Sequence, residues 1–122
     1  MIPSSRVPVV TVVGSFAVGM TIRAPRFPVG GETLPGTDFD MGAGGKGSNQ
    51  AVGAARLGAV SHLVARIGQD ALGSVGQALW DRENVTTAFV VVDTVRPTGV
   101  GIITLNAERL CRNQGNCAKL QE

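Results

Sequence analysis

A run of glycines opening onto a stretch of small residues constrains this chain more than any other feature. Gly42-Ala43-Gly44-Gly45-Lys46-Gly47 leads into Ser48-Asn49-Gln50-Ala51-Val52-Gly53-Ala54-Ala55-Arg56-Leu57 and stops at Gly58. Ala51, Ala54, Ala55 and Gly58 recur at helical spacing, and a face made of such small residues lets a helix lie close against a sheet. Gly58 suits the left-handed position that ends a helix. Six of the chain's 17 glycines fall between residues 42 and 58. The expectation is a helix that starts at a glycine cluster and packs tightly on strands.

The flanking segments supply those strands. Val9–Val13 is an unbroken β-branched and apolar run that ends at Gly14. Such runs suit a strand buried on both faces of a parallel sheet. Residues 15–43 lose periodicity and collect Pro25, Pro28, Gly30, Gly31, Pro35 and Gly36, which argue against helix. Extended pieces at 18–22 and 33–41 are expected to form a small exposed sheet. Residues 60–67 read as the next strand. Asp70 is then a natural N-cap, followed by an apolar stripe of Leu72, Val75 and Leu79 running to Trp80, with Asn84 closing the helix. Residues 88–92 and 100–105 read as two further strands, joined by a turn around Arg96-Pro97-Thr98-Gly99. Alternating strands and helices favour an α/β layer with a largely parallel sheet.

Composition removes several function classes. The 122 residues make one domain or a piece of a larger one, and 43% hydrophobic content suffices for a core. The net charge of +2 comes from 11 basic and 9 acidic residues, scattered along the chain. That is no basic stripe for nucleic acid. Tyrosine is absent and tryptophan occurs once, so an aromatic stacking platform is missing too. No apolar run approaches the roughly 20 residues that span a bilayer. The start imitates a signal peptide, but Pro8 interrupts its apolar run and no small-x-small site precedes Arg23, so a cytoplasmic protein is expected. Cys111 and Cys117 with the single histidine, His62, fall short of a zinc ligand set, and both thiols are read as incidental. His62 is read as an ordinary residue near the start of a strand.

The glycine cluster admits several chemistries. Gly42, Gly44 and Gly47 match G-x-G-x-x-G, but a dinucleotide site needs that motif directly after a buried strand. Asp38-Phe39-Asp40-Met41 is a poor candidate for one. A phosphate-binding loop would need Ser or Thr at position 47 and Gly at position 40, where this chain has Gly47 and Asp40. A third reading is a polyol site. Glycines opening a helix leave backbone N–H groups accessible, and Lys46 and the amide of Asn49 add donors and an acceptor of the kind that sugar hydroxyls require. The residue types leave this site and a tight packing turn equally open.

Six motifs together resemble those of one known protein family. The resemblance rests on Gly14-Ser15, on Pro-Val-Gly-Gly-Glu-Thr at 28–33, and on Gly44-Gly45-Lys46-Gly47-Ser48-Asn49-Gln50-Ala51. It continues through Arg56-Leu57-Gly58-Ala59, then Gly68-Gln69-Asp70 with Gly73, then Pro97-Thr98-Gly99. These six motifs stand in order between about residues 9 and 108, and with them the chain resembles the N-terminal part of ribokinase-type (PfkB) carbohydrate kinases. The resemblance implies a ribokinase-like α/β sandwich with a small β-sheet lid, here at about 18–22, 33–41 and 100–105, that often also forms a homodimer contact. It implies transfer of the ATP γ-phosphate, with Mg²⁺, to a sugar hydroxymethyl group. By the same resemblance Gly44, Gly45, Lys46 and Asn49 hold sugar hydroxyls, and the lid excludes water from the transfer. Asp70 takes a structural, capping role, and Glu32 is read as a turn carboxylate in preference to a lid residue at the site.

Two departures from the family pattern carry expectations. After Gly14-Ser15 ribokinases usually place an Asn and an Asp that grip the sugar, and Ala17 and Gly19 stand there in this chain. Losing two polar partners costs about 1–3 kcal/mol each if ribose binds in the same pose, which opens the site to a different or more apolar substrate. The family's catalytic base lies in an Asp-Thr-x-Gly-Ala-Gly-Asp motif that these 122 residues do not contain. No catalytic residue and no metal ligand is therefore assigned. Val and Ile are absent from 108–122. Residues 1–108 are thus read as the N-terminal part of a kinase domain, and 109–122 as a divergent tail, the product of truncation or a lost reading frame, with no strand of the preceding fold.

Overall fold

The computed structural model describes residues 6–107, together with the backbone of residues 111 and 112. Cys117 and the rest of the tail lie outside the described residues. In chain order the elements are β1 (Val9–Val13), β2 (Ala17–Arg23), β3 (Asp38–Gly44), α1 (Lys46–Arg56), β4 (Val60–Gly68), α2 (Ala71–Arg82), β5 (Val85–Asp93), β6 (Gly99–Leu105) and β7 (Cys111–Arg112). They form two compact units, one from Met1–Val18 with Ala43–Gly99 and one from Gly19–Gly42 with Val100–Glu122.

The first unit is an α/β layer. Its sheet has the order β1-β4-β5, with β1 pairing parallel to β4 and β4 parallel to β5. Val9 sits opposite Val60 and Val13 opposite Val64, while a bulge between His62 and Val64 shifts the register toward β5. Each parallel connection passes through a helix. Right-handed crossovers stepping one way across a sheet deliver their helices to one face, so α1 and α2 share a side. Ser61, Leu63 and Ile67 of β4 point to that side and are at most 2% exposed. Val9, Val13, Val60, Phe89 and Val91 belong to the opposite face and are exposed. The expectation that β1 is buried on both faces is thus corrected: its strand type and parallel pairing are as read, but the described residues place helices on one side only.

Both helices end as their residues dictate. Gly58 has φ 90° and donates its N–H to the Ala55 carbonyl, while the N–H of Ala59 reaches Ala54. That pair of bonds is a Schellman closure. Asn84, at φ 56°, closes α2 in the same left-handed conformation. The buried face of α1 is Gly47, Ser48, Ala51 and Val52, one turn earlier than the Ala54–Gly58 end of the small-residue face. In α2 the buried positions are Gly73, Gly76 and Trp80, while Leu72, Val75 and Leu79 are half-buried. The glycines, not the leucines, make the close contact.

The second unit is a four-stranded sheet of order β3-β2-β6-β7. Strand β3, the second expected lid segment, begins at Asp38, not Thr33, because Pro35 has no N–H to give a ladder and Gly36 lies against Arg23 and Ile22. Strand β3 is exposed along Asp38–Gly42. Strand β7 pairs antiparallel with β6, Cys111 opposite Leu105 and Arg112 opposite Thr104, so a short strand forms in the tail where none was expected. Backbone pairing alone suffices for two residues and needs no apolar side chains.

Candidate functional site

The candidate site is built where β1 hands over to β2 and β3 hands over to α1. The two segments touch backbone to backbone. A Cβ on Gly14 would stand 2.7 Å from the Cα of Gly47, and one on Gly47 would stand 2.8 Å from the carbonyl carbon of Gly14. Gly45 is the N-cap of α1 at φ 91°, and a Cβ there would meet the Ser15 carbonyl at 2.5 Å and the Phe16 Cα at 2.7 Å. Glycine at 14, 45 and 47 is therefore a steric requirement of this junction.

That junction leaves the start of α1 open. No side chain caps it and no acidic residue lies in its first turn. The Ser48 N–H reaches the Ser15 carbonyl at 3.3 Å, and the Asn49 N–H reaches Gly45 at 2.9 Å. Gly44 and Gly45 are half-buried, whereas Lys46 and Asn49 are exposed. Three residues apart on a helix, Lys46 and Asn49 share a face. Among the described residues neither the Lys46 ammonium nor the Asn49 side-chain amide has a hydrogen-bond or salt-bridge partner. Lys46 and Asn49 are thus exposed, next to the half-buried Gly44 and Gly45, at the positive end of the helix. Asn49 also lines a cleft of about 420 Å³ between α1 and α2, with Arg56 and Arg82 on its wall. Gly44, Gly45 and Lys46 lie outside that lining. Ala17 and Gly19 occupy β2 and bring no polar side chain.

Asp70 and Glu32, the two carboxylates weighed in the sequence, both have structural partners. Asp70 caps α2: its Oδ1 accepts from the Gly73 N–H at 2.7 Å and the Thr98 hydroxyl at 2.7 Å, and its Oδ2 accepts from the Thr98 N–H at 2.8 Å. Thr98 in turn accepts the Gly68 N–H at 2.9 Å. These bonds, led by the one from the Thr98 N–H, hold the Asp70 carboxyl below its ordinary range. Glu32 is bonded to Arg26 through both oxygens and to the Val29 N–H, and the Arg26 guanidinium lowers its pKa to about 2. It is a paired turn carboxylate. Glu83 receives two 2.7 Å bonds from Arg56, which lower it to about 2 and tie the end of α2 to α1. The ring of His62 lies 6.0 Å from that of Phe89, and its Nδ1 is buried without a partner among the described residues.

The dinucleotide reading fails on its own requirement. Gly42 and Gly44 belong to β3, an exposed strand at the sheet edge, not to a turn after a buried one. Among the described residues no group of three or more His, Cys, Asp or Glu is placed to hold a metal ion. No Mg²⁺ ligand is assigned to them, and no step is derived through one.

Two residues beside the site escaped sequence reasoning. Ser48 is fully buried and accepts the indole N–H of Trp80 at 2.8 Å. The two are 32 positions apart, and no local pattern links them.

The class of this α/β unit with its glycine-opened helix is defined by its likeness to known proteins. Residues 8–121 match the pfkB family carbohydrate kinase model, and the chain belongs to that family. It is 38% identical over 93 residues to the ribokinase of Haemophilus influenzae, covering 76% of this chain and 30% of the relative. It is 43% identical over 96 residues to the ribokinase of Bacillus subtilis, covering 79% and 33%. Among solved structures, Arabidopsis thaliana ribokinase complexed with ribose and ATP superposes with a TM-score of 0.82 at 32% identity, covering 88% of this chain and 35% of that one. The chain spans about a third of the length of these relatives. None of the described helices is long and apolar enough to cross a membrane.

Proposed function

We propose that this chain is the sugar-binding portion of an ATP-dependent carbohydrate kinase of ribokinase type, acting in the cytoplasm. In this reading Gly44, Gly45, Lys46 and Asn49 hold the hydroxyls of a sugar or related polyol. The observation that carries it is the start of α1, which no side chain caps and which sterically required glycines hold in place beside an unpartnered, exposed lysine and asparagine. Asn49 both donates and accepts, as a hydroxyl does. The second unit serves as the lid. Ala17 and Gly19 leave two sugar contacts unfilled, so the preferred substrate differs from ribose or binds it less tightly.

Phosphoryl transfer needs a positioned base and electrostatic stabilisation of the phosphate. The described residues supply neither, and the 122 residues contain no Asp-Thr-x-Gly-Ala-Gly-Asp motif. The chain by itself is expected to show no sugar-dependent ATP consumption. A coupled ADP-release assay across pentoses, hexoses and nucleosides measures this, and clear turnover with any of them would overturn the assignment of catalysis to residues outside this stretch.

The exposed edge of the lid sheet favours a second reading, in which the chain pairs with a copy of itself. Phe39 and Met41 on β3 are 60% and 44% exposed, and an uncovered edge strand invites strand addition. Light scattering over a concentration series should show a dimer that Phe39→Lys weakens. A monomer at every concentration rejects pairing through this edge.

A further inference from the structure

Helix α1 begins on a glycine at φ 91°, and no capping side chain holds its first turn in place. A buried cluster does. Ser48 lies between Lys46 and Asn49 and is 0% exposed. Its N–H bonds to the Ser15 carbonyl and its Oγ accepts the Trp80 indole N–H at 2.8 Å. Trp80, also 0% exposed, meets Phe16 edge to face, with centroids 5.1 Å apart and planes at 73°. Gly76 makes room for the Phe16 ring, since a Cβ there would stand 2.9 Å from it. The segment after β1, the first turn of α1 and the last turn of α2 are thereby joined through Ser48 and Trp80.

We propose that Ser48 and Trp80 are a positioning pair for the polyol-binding turn, fixing the direction in which Lys46 and Asn49 face their ligand. This rests on the sugar-binding reading given above. The pair touches no ligand itself and acts through the orientation of the turn. A buried indole N–H deprived of its acceptor must find another or stay unpaired, and either outcome rotates or loosens residues 46–49. Because Trp80 is the chain's one tryptophan, its emission also reports occupancy of that turn.

The test compares the wild type with Ser48→Ala, Trp80→Phe and the double variant, using D-ribose, 2-deoxy-D-ribose and D-fructose as probes. Calorimetry measures affinity, and circular dichroism restricts the comparison to temperatures where each variant is folded. Each single change should weaken sugar binding about tenfold, the scale of one lost buried hydrogen bond. The double change should be no worse than either single one, which is the signature of a shared interaction. Sugar should also alter wild-type tryptophan emission. If the wild type binds sugar and the folded variants bind it equally well, the positioning role is wrong and the binding site stands. If the wild type binds none of the three, both are overturned. Trp80→Phe keeps the aromatic body in the core, so it decides the matter if Ser48→Ala does not fold.

Discussion

Replacing Gly45 with alanine is expected to destabilise the chain by about 2–5 kcal/mol. Two independent costs add. A residue with a Cβ pays about 1–2 kcal/mol to adopt a left-handed backbone, and Gly45 sits at φ 91°. The new methyl would also stand 2.5 Å from the Ser15 carbonyl and 2.7 Å from the Phe16 Cα. Both are backbone atoms that cannot swing aside, and overpacking of this kind costs about 1–3 kcal/mol. Against a typical total stability of about 5–15 kcal/mol, that is a large fraction. Urea unfolding reads it as a fall in midpoint at unchanged slope. A midpoint within error of the wild type would show that the junction between Ser15 and α1 is looser than described.

The second large effect is a contrast within α1. Helix propensity alone favours alanine over glycine by about 1 kcal/mol at any interior position. At Gly53 nothing lies within 4 Å of the added Cβ, so Gly53→Ala should stabilise by about 0.5–1 kcal/mol. At Gly47 the Cβ would meet Gly14 Cα at 2.7 Å, Gly14 C at 2.8 Å and Ser15 N at 2.9 Å. There the packing cost of about 1–3 kcal/mol outweighs propensity and the sign reverses. Two glycines six residues apart should thus move the denaturation midpoint in opposite directions. Equal shifts of one sign would mean that close approach to Gly14 does not govern this helix.

Much of the fold was legible because local chemistry and global packing agree. The β-branched run of β1, the Asp70 cap and the glycine that ends α1 each announce themselves in a few neighbouring residues, and all three occur in the structure. The order of motifs around Gly44–Ala51 was equally readable, and it leads to the family that the comparisons show. What stayed hidden depends on partners distant in sequence. The apolar pattern of β1 suggested burial on both faces, but burial depends on which elements cover a strand, and α1 and α2 fall on one side. The stripe Leu72–Val75–Leu79 looked like the packing face of α2, yet Gly73 and Gly76 lie deeper because the Gly68 carbonyl and the Phe16 ring press against them. Strand β3 begins late because Pro35 and Gly36 interrupt the extended piece expected at 33–41. Ser48 read as one polar residue in a glycine-rich motif. Only the fold brings it to Trp80 and turns it into a buried acceptor.

At the candidate site the residue types were legible and their exposure was not. Lys46 and Asn49 could have been drawn into pairs by the nine acidic residues of the chain. Asp70, Glu83, Asp93 and Glu32 are instead engaged by caps, turns and arginines. That division of charge leaves the start of α1 without an acidic partner among the described residues.

Binding of sugar at the opening of α1 is tested most directly by an amide-resolved NMR titration. With the ¹⁵N-labelled chain and D-ribose, 2-deoxy-D-ribose or D-fructose added to saturation, the predicted shifts concentrate at Gly44, Gly45, Lys46 and the Asn49 side-chain amide. They should disappear in Asn49→Ala. Shifts confined to other residues, or shifts at α1 that persist unchanged in that variant, would contradict it.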